Sequence, residues 1–311
     1  MPNTNLRPTP WYCHPFVGAE REISAAPTEI RPHLRDILED VFTVFRNAIA
    51  SDLIEGARRG VANLKDRAQR FNPPLHYGKM RRVVNAHAAC PELRSLFSGN
   101  VKTLETLDYL FGAPAALYTS LLYEIGSSQD LHRDTPYFWT NPGYRYFGVW
   151  VALEDVDLTN GCLQISRGSN RLPEEDVEDI RNCIYKEGEP LLSDDIRLWM
   201  AYQSRAQQAA THLSLPVLDM KVSAGDTIVW HPHTLHGGRP IEDFSRSRLS
   251  LVMHVTPENQ AVHHQDKFFS PEAEVLELAD REYIEFEGRK IANYPEISFE
   301  HALSIKIENL T

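Results

Sequence analysis

The sequence predicts an α+β fold in which helices come first and a block of separated strands follows, closing as a sandwich or barrel. Three observations carry that reading. Apolar residues recur at a helical period in the first third of the chain. From residue 115 they give way to short apolar and aromatic runs bounded by turns. These runs follow one another without the alternating helices that parallel β-α units would require. The chain has 311 residues, of which 42% are hydrophobic and 24% charged, so it is long enough and apolar enough to bury a sizeable core. No apolar run reaches the roughly 18 residues that a membrane span needs.

Residues 1–27, rich in Pro, Asn and Thr, read as an irregular arm. A helical region is expected over 28–70, where IRPHLRDILEDVFTVFRNAI spaces Ile30, Leu34, Ile37, Leu38, Val41, Phe42 and Phe45 near the helical period. FNPPLHYG then breaks it. A second helical stretch covers 91–111, with a break at Ser98–Gly99. Strands are expected in AALYTSLLYEI from 115, YRYFGVWVALEDV at 144–156, GCLQISRGS at 161–169, AGDTIVWH at 224–231 and SRLSLVMHVTP at 247–257. Between Asn170 and about Pro216 an acidic, helical excursion leaves this block, opening with LPEEDVEDIRNCI. Surface decoration and a lid over a site are both open readings of it. The segment after about 258 is expected to pack back on the sheet. Together these give one domain over 1–311: helical support in 1–114, a strand core in 115–257 carrying the 171–215 excursion, and a C-terminal segment in 258–311.

A net charge of −11 would repel phosphate backbones, and the best basic cluster, KMRRVV at 79–84, is short, so neither nucleic acid nor a membrane is an expected partner. Cys13, Cys90, Cys162 and Cys183 show no C-x-x-C spacing. The first residues lack the basic-then-apolar order of a secretion signal. Reduced thiols in a cytoplasmic protein are therefore expected. No feature specifies an oligomeric state.

Chemistry concentrates in LHRDTPYFW, residues 131–139. On an extended strand His132 and Asp134 share a face, and with a second imidazole they make the 2-His-1-carboxylate set that leaves adjacent positions open on Fe(II). GDTIVWHPHTLHGG offers His231, His233 and His236 for that role, the last followed by two glycines that allow close backbone approach. An Fe(II) oxygenase that splits O2 needs two further electrons, which a 2-oxoacid supplies by decarboxylation. Its far carboxylate needs a fixed cation, best an arginine. Arg246 and Arg248 in DFSRSRLSLVMHV stand in the right place, and strand parity alone does not separate them.

In this order, LHRD, VWVALEDVDLTNGCLQISRGSN, AGDTIVWHPHTLHGG and SRSRLSLVMHV resemble the phytanoyl-CoA dioxygenase family of Fe(II)/2-oxoglutarate oxygenases, over roughly residues 100–255. The family's G-x-L-x-x-x-x-G-S-[HN] segment is represented by Gly161, Leu163, Gly168, Ser169 and Asn170. The resemblance implies a double-stranded β-helix (jelly-roll, cupin-like) core flanked by N-terminal helices. It implies His132, Asp134 and His236 as iron ligands. Arg246 is then the 2-oxoglutarate anchor, with Arg248 as its alternative, and Trp150, Tyr118 and Ser120 line the co-substrate site. Tyr137, Phe138 and Trp139 are candidates for a substrate wall, with core packing as the competing reading. Three features depart from the family pattern: Arg133 between the ligands in place of Gln, Gly238 in place of a hydroxyl residue, and the long 171–215 excursion.

The implied activity consumes 2-oxoglutarate and O2, releases succinate and CO2, and hydroxylates or otherwise oxidises a small molecule of secondary metabolism. A carboxylate at Asp134 favours hydroxylation over halogenation, which needs that position vacated. No basic pocket is identifiable from the sequence, which disfavours an acyl-CoA substrate. The competing readings are a non-catalytic or zinc-bound cupin-type binding protein and a metal-dependent hydrolase. Neither needs the arginine.

Overall fold

The helical region expected over 28–70 is two helices separated by a strand. The computed structural model describes residues 10–13, 18–186, 188–192, 195–263, 265–270 and 281–310. Of the expected irregular arm, 1–9 and 14–17 lie outside the described residues, and α1 (Ala19–Ala25) occupies part of the rest. Helix α2 (Arg31–Asp40) carries Pro32 in its first turn, where a missing N–H costs nothing, and buries Leu34, Ile37 and Leu38. It ends at Val41, whose backbone is left-handed with φ 73°. The following Phe-Thr-Val-Phe forms β1 (Phe42–Phe45), with Phe42 paired to Trp230. The helical spacing of Val41, Phe42 and Phe45 is thus coincidental: β-branched and aromatic side chains found a sheet edge to pair with.

Helix α3 (Ser51–Ala68) is followed by β2 (Val83–Val84), α4 (Ala86–Ala89), α5 (Pro91–Ser98) and α6 (Val101–Phe111), with the expected break after Ser98. The strand block then opens with β3 (Ala115–Tyr123), β4 (Trp139–Thr140), β5 (Phe147–Ala152) and β6 (Leu163–Ser166). The excursion contains α7 (Val177–Ile184) and α8 (Ile196–His212). Their N-caps, Asp176 and Asp195, accept hydrogen bonds from the backbone N–H groups of Asp179 and Arg197. Strands β7 (Val217–Met220), β8 (Thr227–Trp230), β9 (His236–Gly238), β10 (Ser250–Pro257) and β11 (Val262–His263) come next, then α9 (Gln265–Phe269). The C-terminal segment adds β12 (Tyr283–Phe286), β13 (Arg289–Ala292), β14 (Glu296–Phe299) and β15 (Leu303–Lys306).

The major sheet runs β1-β8-β5-β10-β3-β2-β14-β15, and a three-stranded sheet, β7-β6-β9, faces it. This is the double-stranded β-helix expected, and the C-terminal segment packs back on it as expected: β13 lies beside β3 and β14 pairs with β2. Strand parity sorts the side chains. Phe147, Val149, Val151, Leu251, Met253 and Val255 join the helices in one core. Trp150, Ile228, Trp230 and Val252 point between the sheets, against Leu163, Ile165 and Met220. No described helix is long and apolar enough to cross a membrane.

Candidate metal centre and its cavity

His236 opens β9, and its backbone pairs antiparallel with His132: His132 N–H donates to His236 O at 2.8 Å and His236 N–H to His132 O at 2.9 Å. Residues directly opposed in an antiparallel pair present their side chains to the same face, so two imidazoles distant in sequence meet with ring centroids 4.6 Å apart. The two glycines after His236 make this approach possible. A Cβ on Gly237 would lie 2.5 Å from Gln129 O, and one on Gly238 2.9 Å from the backbone nitrogen of Ser128. Gly238, a departure from the family pattern, is therefore explained by the space it leaves.

Asp134, two residues beyond His132, turns to the same side. Its Oδ1 lies 4.0 Å from His132 Nε2 and 3.6 Å from His236 Nε2. The three ligating atoms all lie within 4.8 Å of one another. Each imidazole faces a carbonyl through its other nitrogen: His132 Nδ1 is 2.8 Å from Asp130 O and His236 Nδ1 is 3.2 Å from Thr234 O. An N–H donated there leaves the Nε2 lone pairs free for a metal. Burial pushes the His132 pKa down to about 4, helped by the neighbouring His236, and burial also lowers His236. Burial alone would raise Asp134, but the facing His236 and His254 imidazoles hold its carboxyl well below the usual range.

Two residues that sequence reasoning missed complete the carboxylate's surroundings. Trp230 Nε1–H donates to Asp134 Oδ2 at 3.0 Å, and His254 Nε2 lies 3.1 Å from the same oxygen. Oδ2 is thereby occupied and Oδ1 is left toward the histidines. Strand parity could have found His254, because positions 248, 252 and 254 of one extended segment all face the cavity. Gly148 makes room for Trp230: a Cβ there would lie 2.0 Å from the indole Cε2.

The three residues open on a cavity of about 1230 Å³, whose wall includes Tyr118, Tyr137, Phe138, Trp150, Arg248 and His254. Arg248 is 4% exposed, with its guanidinium carbon 5.7 Å from both the Tyr123 and the Trp150 ring centroids. Its Nη1 donates to Ser250 Oγ at 2.9 Å, and its Nε has no partner. Burial lowers its pKa only to about 10, so it remains charged at neutral pH.

Several expected wall residues lie elsewhere. Arg246 sits outside the cavity, bound through Nη1 to Asp157 Oδ2 at 2.7 Å and Thr159 Oγ1 at 2.6 Å. The parity that made Arg246 and Arg248 equivalent does not apply, because the chain is still turning at Asp243–Arg246. Arg248, the alternative, lines the cavity. Ser120 is buried behind β3 against His87 Nδ1, 2.7 Å away. The β3–β10 register slips between His254 and Val255, opposite Tyr118, and this lets Tyr118 and Thr119 both face the cavity while Ser120 faces away. Trp139 packs edge-on against Tyr144 and Phe268 in a separate cluster, outside the cavity lining. His231 and His233 also lie outside the cavity. His231 Nδ1 accepts from His233 N–H at 3.0 Å, and burial takes the His231 pKa to about 3.

Helix α8 forms one wall through Ile196, Trp199, Met200, Gln203 and Gln207. It also grips the metal loop. Gln203 accepts from Arg133 N–H at 2.8 Å and donates to Arg133 O at 2.8 Å, and Gln207 Nε2 donates to Leu131 O at 2.5 Å. Arg133 itself points away from the cavity and donates to His233 O at 2.9 Å and Ser169 O at 2.9 Å. The excursion is therefore a wall and a brace at once.

Residues 42–247 match the family model described as phytanoyl-CoA dioxygenase (PhyH). Phytanoyl-CoA dioxygenase 1 from Oryza sativa subsp. japonica is 26% identical over 163 residues, 51% of this chain and 50% of that protein. Phytanoyl-CoA dioxygenase domain-containing protein 1 from Danio rerio is 46% identical over 46 residues, 15% of this chain and 16% of that protein. The match thus spans half or less of the length of these relatives. Among solved structures, the non-heme alpha ketoglutarate dependent carbocyclase SnoK from nogalamycin biosynthesis aligns with TM-score 0.57 at 17% identity, covering 81% of this chain and 93% of its own. EctD from S. alaskensis, solved with 2-oxoglutarate and 5-hydroxyectoine, aligns with TM-score 0.56 at 14% identity, covering 83% and 86%. Likenesses at these identities establish the fold.

Proposed function

This chain belongs to the phytanoyl-CoA dioxygenase family, and from that premise we propose that it is an Fe(II)- and 2-oxoglutarate-dependent oxygenase that hydroxylates a small organic molecule. His132, Asp134 and His236 form the iron site in this reading: two neutral imidazoles and one carboxylate with a single free oxygen suit Fe(II) and leave adjacent coordination positions open. The observation that carries the co-substrate assignment is Arg248. A buried guanidinium whose Nε has no acceptor leaves an uncompensated charge, and a bound carboxylate corrects that deficit. A zinc-bound binding protein or a hydrolase would have no use for it.

Bound iron would supply the O2 activation that is coupled to 2-oxoglutarate decarboxylation. The net change is RH + 2-oxoglutarate + O2 giving ROH + succinate + CO2. The chain's own residues do the rest. Arg248, steadied through Nη1 by Ser250 Oγ, would hold the far carboxylate, while Tyr123 and Trp150 cover the guanidinium. Trp230 holds Asp134 Oδ2, so Oδ1 is the oxygen that would be offered to a bound iron. Tyr137 and Phe138 stand at the substrate side; Phe138 is stacked on His254 with ring centroids 3.8 Å apart. Helix α8 closes the opposite side, and we assign the 171–215 excursion the role of lid as well as brace. Hydroxylation is preferred to halogenation because Asp134 fills the position a halide would need. SnoK and SnoN belong to nogalamycin biosynthesis, and a secondary metabolite is the substrate type we infer here.

The deciding test is succinate release. With Fe(II), O2 and 2-oxoglutarate, the protein should produce succinate slowly without substrate and faster with it. Absence of both succinate formation and 2-oxoglutarate binding would refute the assignment.

A further inference from the structure

The chain carries a net charge of −11, yet the cavity wall is cationic: the side chains of Arg82, Arg248 and Arg281 face only Asp130 and Asp134. Under the reading above, several of these charges are already matched. Asp134 and Arg248, together with a divalent ion, balance a doubly charged 2-oxoglutarate. Arg133 is spent on the carbonyls of His233 and Ser169. Arg82 and Arg281 remain; of the lining carboxylates only the exposed Asp130 is left to oppose them, while Glu300, outside the lining, favours the charged form of Arg82 but is itself engaged by Arg81 and His76.

Arg82 is the better defined of the two. Its Nε donates to Tyr123 Oη at 3.1 Å and its Nη2 to Gln129 Oε1 at 2.9 Å, both neutral acceptors. Among the described residues no carboxylate oxygen comes within 4.0 Å of it. Its backbone is left-handed, with φ 51°, an uncommon state for a residue with a long side chain. The adjoining wall comes from the C-terminal segment: Arg281, seated 4.2 Å above the Tyr118 ring, with Tyr294 and His301. These three residues lie beyond the 42–247 matched by the family model.

The N-terminal part of α8 lines the cavity with apolar side chains. Ile196 and Met200 on α8 line the cavity although they are 52% and 59% exposed, and between them Trp199 carries a buried Nε1–H with no acceptor. At about 1230 Å³ the cavity exceeds the roughly 300–1,000 Å³ of ordinary ligand pockets, so a second molecule of drug size fits beside the co-substrate. We propose that the substrate is an amphipathic organic anion, its carboxylate or phosphate seated on Arg82 and its apolar body lying on Ile196, Trp199 and Met200. This rests on the oxygenase reading and names the substrate class for it. KMRRVV, short as a basic cluster in the sequence, contributes its one cavity-facing arginine to this seat.

The test uses two fluorescent dyes that differ mainly in one anionic group: 8-anilino-1-naphthalenesulfonate and N-phenyl-1-naphthylamine. Both are titrated into full-length protein loaded with Mn(II) and saturating 2-oxoglutarate, which keeps the sulfonate off Arg248. The wild type should bind the sulfonate at least about tenfold more tightly than the neutral dye, as a charge-assisted contact implies. Arg82→Gln should abolish that preference, leave the neutral dye and the 2-oxoglutarate constant unchanged, and Arg82→Lys should restore much of it. Met200→Glu, at an exposed position where folding is safe, should weaken the sulfonate more than the neutral dye. Displacement by 1-naphthylacetate or by 1-naphthyl phosphate then tells carboxylate from phosphate. Equal affinity for the two dyes, an unchanged preference in both Arg82→Gln and Met200→Glu, or displacement by neither anion would overturn the proposal. So would a shift of the 2-oxoglutarate constant alone in Arg82→Gln, which would give Arg82 to the co-substrate. Failure of the protein to bind 2-oxoglutarate at all is a separate result, and it would sink the oxygenase reading instead.

Discussion

Replacing Arg248 by Met separates its two consequences, on binding and on stability. The guanidinium is 4% exposed, makes one hydrogen bond, to Ser250, and lies between two aromatic rings. Removing one partner of a buried, hydrogen-bonded charge pair costs about 2–5 kcal/mol. The apparent 2-oxoglutarate constant should therefore rise by roughly 30-fold to a few thousand-fold. Iron content should stay the same, because Arg248 touches none of the three ligands. Stability without co-substrate should move the other way or not at all, since Met fills similar volume and an unpaired buried charge disappears. Thermal denaturation with and without 2-oxoglutarate reads both effects, and the co-substrate should stabilise the wild type far more than the variant. Arg246→Ala is the control. It removes a half-exposed pair with Asp157, at most about 1 kcal/mol, and should leave the constant untouched. A large rise in Arg246→Ala with none in Arg248→Met would refute the reasoning.

Metal analysis should show Fe(II) lost from His132→Ala and His236→Ala but retained in His231→Ala, whose imidazole points away from the cavity. Trp230→Phe keeps the ring volume and deletes the hydrogen bond to Asp134 Oδ2, so metal affinity should fall about 10- to 100-fold, read by chelator competition. His87 is fully buried between Ser120 Oγ and Ala292 O, and burial takes its pKa to about 4. Its neutral form favours the folded state at pH values above about 6.5, and this stabilisation is lost as pH falls from there toward 4, about 3 kcal/mol in all. His87→Gln should remove nearly one proton from the pH dependence of unfolding in that window, and an unchanged slope would show that His87 does not titrate on unfolding.

Much of this molecule was legible because its signals are local. The strand runs in 115–257 and the helix break at Ser98 follow from patterns a few residues long. The H-x-D pair is a local pattern too, whereas the choice of His236 among three histidines comes from the family resemblance. What escaped depended on where regular geometry begins and ends. Arg246 and Arg248 looked equivalent because parity was applied before the strand had started. Tyr118 and Ser120 were expected to share a face because a register slip opposite Tyr118 leaves no mark in the sequence. Phe42–Phe45 fitted a helical period, and only the edge beside Trp230 made it a strand. The contacts of Trp230 and His254 with Asp134, and of Arg82 with the cavity, join segments far apart in sequence, which no local pattern reveals.

Gln203 and Gln207 give α8 a consequence beyond shape. The helix that a substrate would touch through Trp199 and Met200 also holds the backbone on either side of His132 by hydrogen bonds. Occupancy of the cavity and occupancy of the metal position are then two equilibria sharing one mechanical element. Thermodynamic reciprocity follows. By whatever factor a bound substrate tightens the hold on the ion, the ion tightens the hold on the substrate, and loosening Gln203 should weaken that coupling in both directions equally.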